Sequence, residues 1–283
     1  MIREAMSLLK RLPLIRGITQ SHWWKSVRYR LLQSYGDRKN EVFTRFLRAG
    51  RQFDALAGPV TDHIIATFGD GTIKIVVLGC STGAEAYSIA STLLSKRPEI
   101  SFSVRGFDID NDVIAQARSA RYSDEEIAAS DCVDRTFIDA TFDREDGGYR
   151  VKPAVADIVS FDKADLFDHD VGKVVGMPDI LFVQNVLLNF RPKDQVRAFR
   201  NIMTLLKPGA VLFIDGMDLH LRTRLTRSFG LSPLEYRIEE IHNDARLERG
   251  CGWPYNYWGL ELFSAKRKDW VRRYATIFIR LQG

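Results

Sequence analysis

Ile73-Lys74-Ile75-Val76-Val77-Leu78-Gly79-Cys80-Ser81-Thr82-Gly83-Ala84-Glu85 is the stretch on which the reading of this chain turns. An apolar run with the length of a buried strand ends in a glycine, crosses small residues and enters a helical pattern from Glu85 to Leu94. Small residues at such a turn let a ligand approach the backbone closely. No lysine follows the glycines, which excludes a phosphate-cradling Walker loop, and a GxGxxG dinucleotide loop is absent. Glu85 suits a cationic group such as the amino group of a methionine moiety. Gly79 to Gly83 also reads G-x-S-x-G, the nucleophile elbow of serine hydrolases, with Ser81 as nucleophile and His220 or His242 as base. A plain tight turn is the third reading.

Outward from this stretch, strand and helix alternate. Phe102 to Phe107 reads as a strand followed by a helix from Asn111 to Ala120. Asp179 to Val183 is a later strand, followed by a helix from Pro192 to Leu206 with proline at its start. Lys207-Pro208-Gly209 ends that helix, and Ala210 to Ile214 is a further strand. Such alternation predicts an α/β fold, a doubly wound parallel sheet with helices on both faces and the ligand beyond the carboxyl ends of the strands. The second strand runs into Asp108-Ile109-Asp110. Asp108 stands at the strand tip, roughly 20 residues beyond the glycines, where an acid can accept both hydroxyl hydrogens of a ribose. A hydrolase needs no acid there. Asp110 reads as the cap of the next helix, and Asp165 can accept from the exocyclic amine of adenine. Around 136–161 the alternation is interrupted: Asp146-Gly147 is a hairpin dipeptide between Thr136-Phe137-Ile138 and Tyr149-Arg150-Val151, which predicts a small antiparallel excursion.

The chain of 283 residues is 45% hydrophobic, enough for one catalytic domain with smaller attachments. No apolar run approaches the roughly 18–20 residues of a membrane span. Met1 to Gln20 is interrupted by Arg3, Lys10, Arg11 and Arg16 and does not read as a secretory signal. Cys80, Cys132 and Cys251 are few and widely spaced, which points to the cytoplasm, no disulfide framework and no metal site. The net charge of +5 is uneven. Residues 1–51 hold twelve bases against three acids, a net +9, so the remainder nets −4. A helical pattern over 21–56, with a break at Gly58-Pro59 and a short helix from Val60 to Phe68, carries that basic head. It is either a solvated face or a surface for an acidic partner.

Taken in order, several motifs resemble one family. Gly79-Cys80-Ser81-Thr82-Gly83-Ala84-Glu85-Ala86-Tyr87-Ser88 is similar to the G-C-S-T-G-E-E-P-Y-S signature of the CheR-type chemotaxis receptor methyltransferases, which methylate protein glutamates. Asp108-Ile109-Asp110 resembles that family's D-I-D, and Thr44-Arg45-Phe46-Leu47-Arg48 its T-x-F-F-R. Asp146 to Pro153 falls where the family has a three-stranded subdomain. Gln184-Asn185-Val186-Leu187-Leu188-Asn189-Phe190 resembles R-N-V-x-I-Y-F, and Leu205-Leu206-Lys207-Pro208-Gly209 resembles L-L-K-P-G.

The resemblance implies S-adenosyl-L-methionine as cofactor, S-adenosyl-L-homocysteine as product and a class I methyltransferase sheet. Thr44 and Arg48 would close over the methionine end. Gly79, Ser81 and Gly83 would form the loop, Glu85 would hold the amino group, and Asp108 with Ile109 the ribose. Asp165-Leu166 would meet the adenine, and Val183-Gln184 would line the pocket near the sulfonium. Arg48, Gln184 and Asn189 are the residues implied closest to the chemistry. Gln184 and Asn189 stand where the family has arginine and tyrosine, Asp215-Gly216-Met217-Asp218 replaces its G-H-S-E, and the aromatic tail around Trp253 to Gly259 has no counterpart. The layout expected is a basic helical segment at 1–58 and a methyltransferase domain at 59–283, with the β subdomain at about 136–161 and a divergent extension from about 219.

The acceptor expected is a carboxylate on an acidic protein helix. The alternatives are a small-molecule or glycan acceptor, with His220, His242 or a tail acid as base, and a non-catalytic module that binds the cofactor. Nucleic acid is not expected as a partner.

Overall fold

A computed structural model describes residues 44–130, 132–248 and 261–281. The basic head up to Phe43 and the tail segment Trp253 to Gly259 with Cys251 lie outside the described residues.

Ten strands are described: β1 Ile73–Leu78, β2 Phe102–Asp108, β3 Arg121–Ser123, β4 Phe142–Glu145, β5 Gly148–Val151, β6 Val159–Lys163, β7 Ile180–Gln184, β8 Val211–Asp215, β9 Leu231–Pro233 and β10 Ile277–Arg280. Seven form one sheet in the order β6-β2-β1-β7-β8-β10-β9. β6, β2, β1, β7 and β8 run parallel, while β10 is antiparallel to both β8 and β9.

The continuous apolar runs follow from burial on both faces. In β1, Ile73, Ile75 and Val77 point into one apolar layer and Val76 and Leu78 into the other. β7 divides in the same way, Ile180 and Phe182 against Leu181 and Val183, as side chains alternate along a strand. One layer is closed by the helix Ala84–Lys96 and by Phe53, Leu56 and Ile64 of the N-terminal helices. The other is closed by Ala198, Phe199 and Ile202 of the helix Pro192–Leu205 and by Leu221 and Leu225 of the helix Leu219–Ser228. The fold is the expected doubly wound α/β sheet. Its strand order reverses at β1, with β2 on one side and β7 on the other, which opens a crevice at their carboxyl ends.

Gly58 breaks helical geometry, with φ −101° and ψ −111°, between the helices Gly50–Ala55 and Thr61–Phe68, where the break was expected. Asp146-Gly147 joins β4 to β5 in a hairpin. The rest of the excursion differs from the sequence expectation. Thr136-Phe137-Ile138 lies in the helix Arg135–Thr141, because Asp134 caps it by accepting the Phe137 N–H at 2.8 Å. The third strand of the small sheet is β3, paired antiparallel to β5, and Val159 to Phe161 belongs to the main sheet beside β2.

Candidate functional site

The loop after β1 is held in one shape by backbone bonds. The N–H groups of Gly79 and Cys80 both donate to the Phe107 carbonyl, at 2.8 and 3.0 Å, which ties the loop to the end of β2. Gly79 has φ +68°, and a Cβ there would sit 2.4 Å from Val186 Cγ2, so only glycine fits. Ser81 also has a left-handed φ, +50°. Its N–H donates to Asp108 Oδ2 at 2.9 Å, and the other carboxylate oxygen accepts from Ile109 and Asp110 N–H at 2.8 and 3.2 Å. Asp108 therefore closes the loop onto β2, and Oδ2, with a single N–H donor, retains a lone pair for a further one. Asp110 accepts the Asp112 N–H and caps the helix Asn111–Ser119, as expected.

Three features of this loop fit a nucleoside-bearing amino acid. Ser81 Oγ is buried without a hydrogen-bond partner. The helix Ala84–Lys96 starts at Gly83 with no side-chain cap, so its first amides remain available to a carboxylate. Ile109, an apolar side chain that directly follows β2, is 52% exposed. Asp165 accepts the Phe167 N–H, and Leu166 beside it is buried with its carbonyl accepting from Asn201.

Glu85 lies at the start of that helix and is half-buried. Burial pushes its carboxyl up to about 7, and the Arg48 guanidinium opposes the rise. Arg48 sits between two left-handed residues, Leu47 at φ 48° and Ala49 at φ 55°. That bend is fastened by two hydroxyls: Leu47 N–H donates to Ser88 Oγ and Phe46 N–H to Ser130 Oγ, each at 3.0 Å. Ser88 in turn donates to the Ala84 carbonyl at 2.7 Å. The fold thus brings the segment Thr44 to Arg48 to the helix that carries Glu85.

At the tip of β7, Val183 is fully buried among the apolar residues under the helix Pro192–Leu205, and Gln184 carries the polar group. Gln184 donates its side-chain amide to Gln52 Oε1, and Gln52 donates to Thr276 Oγ1 at 2.7 Å. Asn185 has φ +57° and packs against Gly216, whose Cβ, were there one, would fall 2.4 Å from the Asn185 Cα. Asn189 lies one turn further, in the short helix Leu187–Asn189.

The serine hydrolase reading lacks its base. His220 Nδ1 contacts Arg273 at 3.2 Å, and His242 Nε2 contacts the Glu261 carbonyl at 2.6 Å. Neither ring reaches the partnerless Ser81 Oγ through a hydrogen bond.

Residues 42–231 match the family described as CheR methyltransferase, SAM binding domain. The chain belongs to the CheR methyltransferase family. Among its relatives, a probable biofilm formation methyltransferase WspC of Pseudomonas putida is 31% identical over 192 residues, covering 68% of this chain and 44% of that protein. A chemotaxis protein methyltransferase of Escherichia coli is 33% identical over 190 residues, covering 65% of this chain and 63% of that protein. The chain thus spans 44% and 63% of the lengths of these two relatives. A solved putative sarcosine dimethylglycine methyltransferase from Galdieria sulphuraria is similar at 14% identity and a TM-score of 0.42, covering 91% of this chain and 98% of that one.

Every residue expected at the site of this CheR-family chain, from Thr44 to Asn189, falls within the matched range. Sequence reasoning missed Gln52, Ser88 and Ser130 as supports. It also missed Thr276, which lies beyond the matched range. Ser88 stood inside the quoted signature, but nothing in its spacing marks it as a fastening for Leu47. Among the described residues, no group of three or more His, Cys, Asp or Glu side chains is arranged to hold a metal, and no helix is long and apolar enough to cross a membrane.

Proposed function

We propose that this chain is an S-adenosylmethionine-dependent methyltransferase whose acceptor is a carboxylate on an acidic protein helix. The observation that carries the reading is the closed loop Gly79 to Glu85, locked to Asp108 through the Ser81 N–H. When bound, S-adenosylmethionine supplies a methyl group already activated on a sulfonium, so the protein's task is positioning. Asp108 would accept the ribose hydroxyls. Glu85 would accept the ammonium, and Arg48 with the first amides of the helix Ala84–Lys96 would meet the carboxylate. Asp165 and Leu166 would take the adenine, and Thr44 would close the methionine end. Gln184 and Asn189 would stand on the acceptor side.

A carboxylate acceptor is ionised at neutral pH and needs no general base. That agrees with the engagement of His220 and His242 elsewhere. The relatives named for chemotaxis and biofilm formation support a protein acceptor, and the basic head up to Arg51 suits an acidic one. The division into a basic segment at 1–58 and a catalytic domain at 59–283, and a cytoplasmic location, belong to the same reading. One observation favours a small-molecule or glycan acceptor instead: the neutral Gln184–Gln52 pair, where the family pattern has a cation.

Transfer of a labelled methyl group to a helical peptide bearing surface glutamates tests the proposal. Base-labile label on that peptide is the expected result. Cofactor binding with label appearing only on small acceptors would transfer the reading to the second acceptor class.

A further inference from the structure

Gln184, Gln52 and Thr276 come from three separate parts of the chain, with 132 residues between the first pair and 224 between the second. Gln52 lies on the helix Gly50–Ala55 that follows Arg48, Gln184 ends β7, and Thr276 precedes β10. Gln52 and Thr276 are each only 3% exposed. The donors run in one direction, from Gln184 to Gln52 to Thr276. The Gln184 nitrogen is therefore turned toward Gln52, and its carbonyl oxygen is left to face away from it.

We propose that Gln52 and Thr276 are positioning residues that hold the Gln184 amide in one orientation, with its carbonyl oxygen directed to the position of the transferred methyl. This rests on the reading of Gln184 as a pocket residue near the sulfonium. Three features carry the inference. A free glutamine side chain has three rotatable bonds whose freedom is lost on ordering, so a single bond to a mobile partner would not fix it. Here the partner is itself buried and anchored by a second hydrogen bond. The relay is also neutral throughout, so it can be buried without a counter-ion, which an arginine at the same place would require. Finally, its middle member lies four residues beyond Arg48, so one short segment carries both the Glu85 partner and the support of Gln184.

The test needs no knowledge of the acceptor. Sinefungin carries an ammonium-forming amine where the transferred methyl would be, while S-adenosylhomocysteine carries nothing there. The ratio of their dissociation constants, measured by calorimetry on the full chain, reports the group facing that position. Gln184→Ala and Gln52→Leu are each expected to weaken sinefungin relative to S-adenosylhomocysteine by about three- to tenfold, the worth of one hydrogen bond. The double variant should match either single one. Thr276→Val should shift it in the same direction as Gln52→Leu. A purely structural role would lower thermal stability and weaken both ligands equally, leaving the ratio unmoved. That result in Gln52→Leu, or a shift in Gln184→Ala that Gln52→Leu does not share, would overturn the proposal. Failure of wild type to bind either ligand would overturn the cofactor reading and this inference with it.

Discussion

Asp108 and Ser81, 27 residues apart, are joined by a 2.9 Å hydrogen bond from the Ser81 N–H to the carboxylate that terminates β2. The proposed ribose ligand is thus also the brace of the proposed cofactor loop. Removing it should remove a charged partner of two hydroxyls and loosen the loop together. Asp108→Ala is expected to weaken S-adenosylhomocysteine binding by about 1–3 kcal/mol. Calorimetry returning the wild-type affinity in that variant would take Asp108 out of the site.

Glu85 predicts a pH dependence of binding. Its carboxyl is raised to about 7 by burial, above the ordinary range, so in the free protein it is largely protonated below that pH. A raised carboxyl stabilises the free fold most at low pH, and that contribution is lost as pH rises from the ordinary glutamate range through about 7. Binding an ammonium reverses the preference, because the charged carboxylate then has a partner. Affinity should therefore rise by up to about tenfold per pH unit below 7 and level off above it, with a proton released on binding. Calorimetry in buffers of different ionisation enthalpy measures that proton. Glu85→Gln should bind more weakly at high pH and show no proton release; an unchanged pH profile in this variant would assign the titration to another group.

Gly79 is expected to tolerate no side chain. An alanine there would combine φ +68° with a Cβ 2.4 Å from Val186 Cγ2. Left-handed backbone and overpacking together should cost about 2–4 kcal/mol. That corresponds to a fall in melting temperature of about 5–15 °C for a domain of this size. Pairing Gly79→Ala with Val186→Ala removes the clash but not the backbone strain, so the melting temperature should recover in part. Equal melting temperatures for Gly79→Ala and wild type would mean that the loop relaxes without cost.

The basic head predicts salt-sensitive turnover. Lys25 and Arg28 lie outside the described residues but in the stretch that carries a net +9. If an acidic helix is the acceptor, these charges should steer it by long-range attraction that salt screens. Lys25→Glu with Arg28→Glu should slow methylation of the glutamate-bearing peptide at low ionic strength and leave cofactor affinity near the wild-type value. Turnover and salt dependence that stay the same in the reversed variant would reduce the head to a solvated surface.

How much was legible beforehand depended on the kind of signal. β1, β7 and β8 are buried on both faces, so each had to be a near-continuous apolar run, and each could be found from the run alone. The loop at Gly79 to Gly83 was legible because left-handed backbone at Gly79, Ser81 and Gly83 restricts residue choice there. Asp108 was legible because it ends a strand at a fixed distance from that loop. Thr136 to Ile138 misled because β-branched and aromatic residues suit a strand, while the Asp134 cap that makes them helical is one side chain without a period.

By itself, the sequence determined β1, β2, β7 and β8 of the main sheet, the loop after β1 and the acid that ends β2, since local spacing and burial periodicity specify these. Tertiary structure alone decided which distant residues support them. The Arg48 bend is fastened by Ser88 and Ser130, and the Gln184 amide is bound to Gln52 and through it to Thr276. A single hydroxyl or amide carries no periodic signature. Its partner is selected by how helices and strands far apart in the chain pack, and that is settled only when the apolar layers on both faces of the sheet have closed.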